Sequence, residues 1–292
     1  MFWQNEELLL PDSLWGAYED ELTEKGLIFE ASQENTKKRI HGGKSKELAE
    51  EHFCHRFAAS CGRVVYFLLD PKGVFAKANS KTILSLTRGN IIILDLAGGA
   101  GAGTLSLLTT LAELIDTKQI PQLPTNIKIV NADYSTDAQE LAQSLHSRIG
   151  SHLLQRGIDL IFSHTEWDAT DVTQSNQLCD DVFSTAPPDT EFMILISNIS
   201  GIGNAGFEGV KSSITHIMQR ITNKKAFVLW IEPESGDASS IMKKAFEIVA
   251  PIKWLSALFH GIPPSFTYKW FDKIKSMPRT GGMILQRFSR EY

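Results

Sequence analysis

The feature that most constrains this chain is the junction at residues 91–104. Ile91-Ile92-Ile93-Leu94-Asp95-Leu96 runs straight into Ala97-Gly98-Gly99-Ala100-Gly101-Ala102-Gly103-Thr104. An apolar run this short, ended by glycines, reads as a strand buried on both faces. Residues 103–115 then take helical spacing. A strand passing into a helix through small residues is the start of a βα unit in a parallel sheet. Glycines let backbone close on a ligand, and the helix N-terminus offers free N–H groups. The turn sits at the carboxyl end of a strand, where open α/β sheets bind ligands. The alternative is a tight joint with no ligand.

The unit repeats. IKIVN (127–131) reads as a second strand before a helical run at 135–149, and IDLIF (158–162) as a third. FMILIS (192–197) precedes a helical run near 207–222, and AFVLWIE (226–232) a helix near 238–249. FTYKWF and GMILQRF, joined by a Pro/Gly turn, read as a closing hairpin. The predicted fold is α/β and doubly wound: a mostly parallel sheet, covered on both faces, with a C-terminal β-hairpin. Upstream, Phe53, Phe57, Cys61, Val64, Val65 and Leu68 recur at spacings of three and four, with Glu47, Glu50, Glu51, His55 and Arg56 opposite. That is an amphipathic helix over 47–69, stopped by Asp70-Pro71-Lys72-Gly73. In residues 1–35, Pro11 and Gly16 read as breakers. The 292 residues suggest one or two domains. The division expected is an N-terminal helical extension over 1–80, acting as a cap or substrate region, and a cofactor-binding domain over 81–292.

Which ligand the turn takes depends on its glycine spacing. A dinucleotide fingerprint, G-x-G-x-x-G, places Thr104 or Ser106 at its third glycine in either alignment. The run instead resembles motif I of the class I S-adenosylmethionine-dependent methyltransferases, D/E-x-G-x-G-x-G. It reads Asp95-x-Ala97-x-Gly99-x-Gly101, with alanine at the first glycine position. The resemblance covers roughly residues 88–292 and implies a seven-stranded sheet. It also implies that Asp95, Ala97, Gly98, Gly99 and Gly101 lie against the methionine and ribose parts of S-adenosylmethionine. The second strand ends at Asn131-Ala132-Asp133-Tyr134-Ser135. A carboxylate can accept from both ribose hydroxyls, and the family's ribose-binding acid matches Asp133, with Tyr134 beside it. Nicotinamide enzymes use an acid similarly, and Asp133 or Ser135 also suits a helix N-cap. After the third strand, Asp168-Ala169 resembles the family's adenine-binding pair. The same residues also suit an ordinary aspartate turn.

By the same resemblance the methyl acceptor adjoins the 197–204 loop. Ser197 and Asn198 are the candidate catalytic residues there, as groups able to orient a hydroxyl or amine. The loop has neither the D/N-P-P-Y motif of amino-group DNA methyltransferases nor a cysteine. The function implied is methyl transfer from S-adenosylmethionine to an O or N acceptor, a small molecule rather than nucleic acid, with release of S-adenosylhomocysteine. Three alternatives stay open: a ribosome-related RNA methyltransferase, a nicotinamide-dependent oxidoreductase, and a non-catalytic methyltransferase-like scaffold. Glu232-Pro233 occurs in a subfamily linked to small-ribosomal-subunit assembly, but the clustered cysteines of that subfamily are missing here.

Charge bears on the partner. The chain carries 29 basic and 34 acidic residues, a net −5, which argues against a bulk nucleic-acid binder. The basic stretch Lys37, Lys38, Arg39, His41 and Lys44, within residues 37–46, keeps RNA open locally. It also suits a lid over an anionic acceptor or over the cofactor carboxylate. Cys54, Cys61 and Cys179 contain no CxxC pair, which reads as reduced thiols without a structural zinc. With no secretory signal or membrane span legible, a cytoplasmic location is expected. Gly42-Gly43-Lys44-Ser45 lacks the first glycine of a phosphate-binding loop. Glu51, His52 and His55 have metal-compatible spacing but no further ligand, so no metal site is expected. His164 reads as a hydrogen-bonded, partly buried histidine. Trp254, Phe259, His260, Phe266, Tyr268, Trp270 and Phe271, with interleaved lysines, read as hairpin core.

Overall fold

The computed structural model describes residues 2–34, 43–250, 252, 256–257 and 263–289. In chain order the elements begin with β1 (Trp3–Gln4), β2 (Glu7–Leu8), α1 (Asp12–Glu24), α2 (Ile28–Ser32), α3 (Lys46–Leu69) and α4 (Ala76–Leu86). The βα units follow as β3 (Gly89–Leu96), α5 (Ala102–Asp116), β4 (Thr125–Asp133), α6 (Thr136–Leu154), β5 (Ile158–Glu166) and α7 (Val172–Ser184). Next come β6 (Glu191–Ser197), a 3-10 turn at Ile199–Ile202, α8 (Gly203–Arg220), β7 (Ala226–Pro233) and α9 (Gly236–Val249). The last strands are β8 (Ser256–Ala257), β9 (Ser265–Asp272) and β10 (Met277–Ser289).

One sheet has the order β1-β2-β9-β10-β7-β6-β3-β4-β5, with β8 alongside β10. Strands β3 to β7 are mutually parallel; β10 returns antiparallel between β7 and β9. The doubly wound, mostly parallel sheet with a closing hairpin is as the sequence predicts. The strand count is not: there are ten among the described residues, because three two-residue strands join the seven long ones. Such short segments carry no hydrophobic periodicity to detect.

β3 shows why the sequence folds this way. Ile91 and Ile93 enter the core on one face, with α1, α3, α5 and α6, while Ile92, Leu94 and Leu96 enter the other, with α7, α8 and α9. A strand buried on both faces needs apolar residues at every position. Each such side chain contributes about 1.5–3 kcal/mol when fully buried. The order reverses at β3, whose neighbours are β4 and β6, and this switch point opens the site described below.

The N-terminal segments share the first of these cores. Leu8, Leu14, Trp15, Tyr18 and Leu22 pack into it with Phe53 and Phe57 of α3. Buried Glu21 accepts from Arg148 Nε (3.1 Å) and Nη2 (2.9 Å), joining α1 to α6. Gly16 lies inside α1 rather than breaking it, and α4 runs across residue 80. Asp70, with φ 39°, ends α3 as its sequence suggests. The hairpin turn is residues 273–276, closed by the Lys275 N–H donating to Asp272 Oδ1 at 3.1 Å, not a Pro/Gly turn. Gly281 instead lies within β10, where a β-carbon would stand 2.4 Å from the Tyr268 ring. A glycine inside a strand there marks close packing, not a bend.

Candidate functional site

The ends of β3 and β4 form a tight local structure. Ala97, Gly99 and Gly101 all have positive φ, at 53°, 52° and 76°. The four residues Ala97, Gly98, Gly99 and Gly101 do different work. A β-carbon on Gly101 would stand 2.9 Å from His146 Cε1, so this glycine lets α5 close on α6. A side chain on Gly98 would meet Asn131 Oδ1 at 2.3 Å and Asp95 Oδ2 at 2.8 Å. At Gly99 there is open space, so this is the position where a ligand can lie flat on the backbone. Ala97 holds a left-handed conformation that costs a non-glycine residue about 1–2 kcal/mol.

Two carboxyls lie beneath the loop. Asp133 Oδ2 accepts from the Gly99 N–H (2.9 Å), and its Oδ1 from the Ser135 N–H (2.8 Å). Each oxygen keeps a second lone pair, available to a hydroxyl donor. Burial raises the Asp133 pKa, and those N–H groups offset part of the rise. Asp95 is fully buried, with the Thr104 hydroxyl the one side-chain donor acting on it among the described residues. Burial, then the neighbouring Asp133, pushes its pKa up to about 8. Burial therefore favours the neutral form of Asp95, which lies under the loop rather than facing the opening.

The ends of β6 and β7 are held differently. Glu232, at the end of β7, is fully buried. Its Oε1 accepts from Ile199 N–H (3.1 Å) and Trp230 Nε1 (2.8 Å), and its Oε2 from Ser200 N–H (2.9 Å). That carboxylate fixes the 3-10 turn onto the sheet. Asn198 has φ 70°, and its Oδ1 accepts from Arg63 Nη2 at 3.3 Å. Arg63 also donates to Ser60 Oγ at 2.8 Å. It is 9% exposed, and burial lowers its pKa.

A cavity of about 720 Å³ lies between these two halves, within the range of small-molecule sites. From the first half it is lined by Ala97, Gly98, Gly99, Asp133 and Tyr134. Ser197 and Asn198 line it from the second. Asp95 and Gly101 support the loop from behind and are not among the lining residues. Asp168 and Ala169 are not brought to the cavity either. Asp168 Oδ1 accepts from Thr170 Oγ1 (2.7 Å) and Thr170 N–H (2.9 Å), bonds that lower its pKa, while Ala169 packs against the second core. Helix α3 covers the cavity with His52, Arg56, Phe57, Ser60 and Arg63. Of the predicted polar face only Arg56 lines the cavity, while Glu47 is exposed to solvent. The sequence reading did not single out Arg63, and it named Glu232 without seeing that its carboxyl anchors the 3-10 turn. One signal was present: Arg63 is the only charge between Ala58 and Leu69.

The remaining candidates fall elsewhere. His164 lies inside β5 and is exposed, not partly buried, because the strand runs four residues past its predicted end. His55 Nε2 lies 3.0 Å from Glu30, joining α3 to α2. Among the described residues no group of three His, Cys, Asp or Glu is placed to hold a metal ion. None of their helices is long and apolar enough to cross a membrane. Lys44 lies over the Tyr134 ring, 5.9 Å from its centroid. Lys37, Lys38, Arg39, His41, Trp254, Phe259 and His260 lie outside the described residues.

No family model and no curated protein matches the sequence. Solved structures do resemble it. A loganic acid methyltransferase with S-adenosylhomocysteine is 7% identical, with a TM-score of 0.47, across 87% of this chain and 99% of that one. An S-adenosylmethionine-dependent methyltransferase from Agrobacterium tumefaciens is 12% identical, TM-score 0.39, across 76% of this chain and 63% of that one. A glycopeptide N-methyltransferase complexed with sinefungin is 11% identical, TM-score 0.32, across 74% and 86%. These are distant likenesses of shape. The strand order itself establishes the doubly wound fold.

Proposed function

We propose that this chain transfers a methyl group from S-adenosylmethionine to an O or N acceptor, releasing S-adenosylhomocysteine. The observation that carries the reading is the cavity at the switch point. It joins an open glycine backbone at Gly99, a buried acid with spare lone pairs at Asp133, and the Ser197–Asn198 loop. The first two residues fit the cofactor: Gly99 leaves room against the loop, and Asp133 can accept from the ribose hydroxyls. Tyr134 would flank the adenosine. Ala97 and Gly98 would border the methionine part, with Asp95 and Gly101 shaping the loop from beneath. Asp168 and Ala169, which do not line the cavity, would reach the adenine only at the margin of the site.

S-adenosylmethionine supplies an activated methyl on sulfur. The chain's own task is alignment, since holding a nucleophile against that carbon supplies much of the rate. Ser197 and Asn198 would orient the acceptor, and α3, from the 1–80 region, would close over it. A cavity of this size favours a small molecule over nucleic acid. The test is calorimetry with S-adenosylhomocysteine. Asp133→Ala should weaken binding at least tenfold and Gly99→Arg should abolish it; unchanged affinity in both would sink the reading. Titration with NADH separates the oxidoreductase alternative. Labelled methyl transfer into a fractionated cell extract would place the product among small molecules, protein or RNA, and label confined to RNA would overturn the small-molecule choice. Absence of any label, with S-adenosylhomocysteine bound, would indicate a scaffold.

A further inference from the structure

Arg63 is a guanidinium taken out of bulk water with no carboxylate bonded to it. Among the described residues its hydrogen bonds run from Nη2 alone, to Ser60 and Asn198, leaving Nε and Nη1 without an acceptor. A buried charge is normally paired, because desolvation of an isolated ion is costly. The carboxyl that acts on it through space is Glu232, but both oxygens of Glu232 already accept N–H donors. Arg56, two helical turns earlier on the same cavity-facing side of α3, adds a second guanidinium close enough to lower the Arg63 pKa. The Arg63 bond also sets the Asn198 amide with its oxygen toward the guanidinium, so its Nδ2–H groups are left to donate elsewhere. This corner thus offers donors in excess, beside the apolar side chains of Phe57, Ile199 and Ile202. Glu234 and Asp237 line the same cavity from the β7–α9 turn, and Asp237 is tied to Asn204 at 2.8 Å.

We infer that Arg63 and Arg56, with the Asn198 amide, form a subsite for the carboxylate of an apolar methyl acceptor. An arginine fork meets a carboxylate with two parallel N–H···O bonds, which fixes orientation as well as position. The inference deepens the proposed methyl transfer and rests on it for the word acceptor. The subsite itself rests only on the cavity.

The test uses the full chain and two isosteric probes, benzoate and benzamide, titrated with and without saturating S-adenosylhomocysteine. Benzoate should bind at least tenfold more tightly than benzamide, and Arg63→Gln and Arg56→Gln should each remove most of that preference. Equal binding of the two probes to the unmodified chain overturns the subsite, and needs no variant to fold. A second arm compares S-adenosylhomocysteine with 5′-methylthioadenosine, which lacks the amino-acid tail. If Arg63→Gln weakens the former more than tenfold and spares the latter, the guanidinium holds the cofactor's own carboxylate and the inference is wrong. If S-adenosylhomocysteine does not bind the unmodified chain, the methyl-transfer reading falls, while the benzoate preference still decides the subsite.

Discussion

The two halves of the cavity are built on opposite plans. At β3–β4, groups within adjoining βα units satisfy one another: Asp133 takes the N–H groups of Ser135 and Gly99, across two and 34 residues. At β6–β7 the deciding contact spans 135 residues, from Arg63 to Asn198. The first half is a backbone structure fixed by glycines and acids. The second is a side-chain structure assembled from a helix outside the βα repeat. The general part of a site can be written in a local motif, whereas the part that selects a partner is written wherever the chain happens to pack.

The largest expected effect breaks the first half. Gly101→Val combines a positive φ with a β-carbon 2.9 Å from His146, and should destabilise the fold by about 3 kcal/mol or more in urea unfolding. A loss under about 1 kcal/mol would mean that α5 and α6 can move apart.

The next effect is electrostatic. Asp95 titrates near 8 in the fold against about 4 unfolded, so the native state holds a proton that the unfolded chain releases. Stability should therefore be full below about pH 4 and fall toward pH 8. His146, lowered to about 4 by burial, acts oppositely, since the unfolded chain gains a proton below about 6.5. The two slopes oppose between about pH 4 and 6.5; above that Asp95 lowers stability together with the other buried acids whose pKa is raised, Asp133 and Glu232. Unfolding free energy should drop by about 1.4 kcal/mol per pH unit from 6.5 to 8. Asp95→Asn should flatten that stretch; a slope that persists in the variant would assign it to another group.

In the second half the expected loss is smaller. Glu232→Gln sets an amide NH₂ against N–H donors of the 3-10 turn, at a cost of about 1–3 kcal/mol. It should also weaken acceptor binding more than S-adenosylhomocysteine binding. An equal loss of both would show that the two halves are coupled, against the division drawn above. The smallest effect returns to the loop. Ala97→Gly relieves about 1–2 kcal/mol of left-handed strain but adds about 0.5–1 kcal/mol of chain entropy. A net gain of roughly half a kcal/mol is the expected outcome, and a loss would mean that the methyl group's packing outweighs its strain.

Legibility followed the same division. The long strands and helices of the βα repeat were readable because burial on both faces imposes continuous apolar runs, as at Ile91–Leu96. The glycine turn and Asp133 were readable because a positive φ and a strand end restrict residue type locally. β1, β2 and β8 were not, since two residues carry no period. Arg63 was not, because its place in the site depends on how α3 settles on the sheet, and helical spacing gives a face without saying what that face meets. Pro278 and Gly281 were misread as a turn; at Gly281 the close approach of Tyr268 demands the same small residue that turns favour.

The pairing of Leu8 with Trp270 has a consequence for how the molecule is made. A strand near the start of the chain can dock only on one that leaves the ribosome some 260 residues later. Until then the apolar residues of β2 and α1 have part of their final surface missing. The sheet is closed by its two ends together, a long-range step that slows folding relative to local pairing. Synthesis should therefore pass through a stage in which the βα repeat is already ordered and the first strand still waits for its partner.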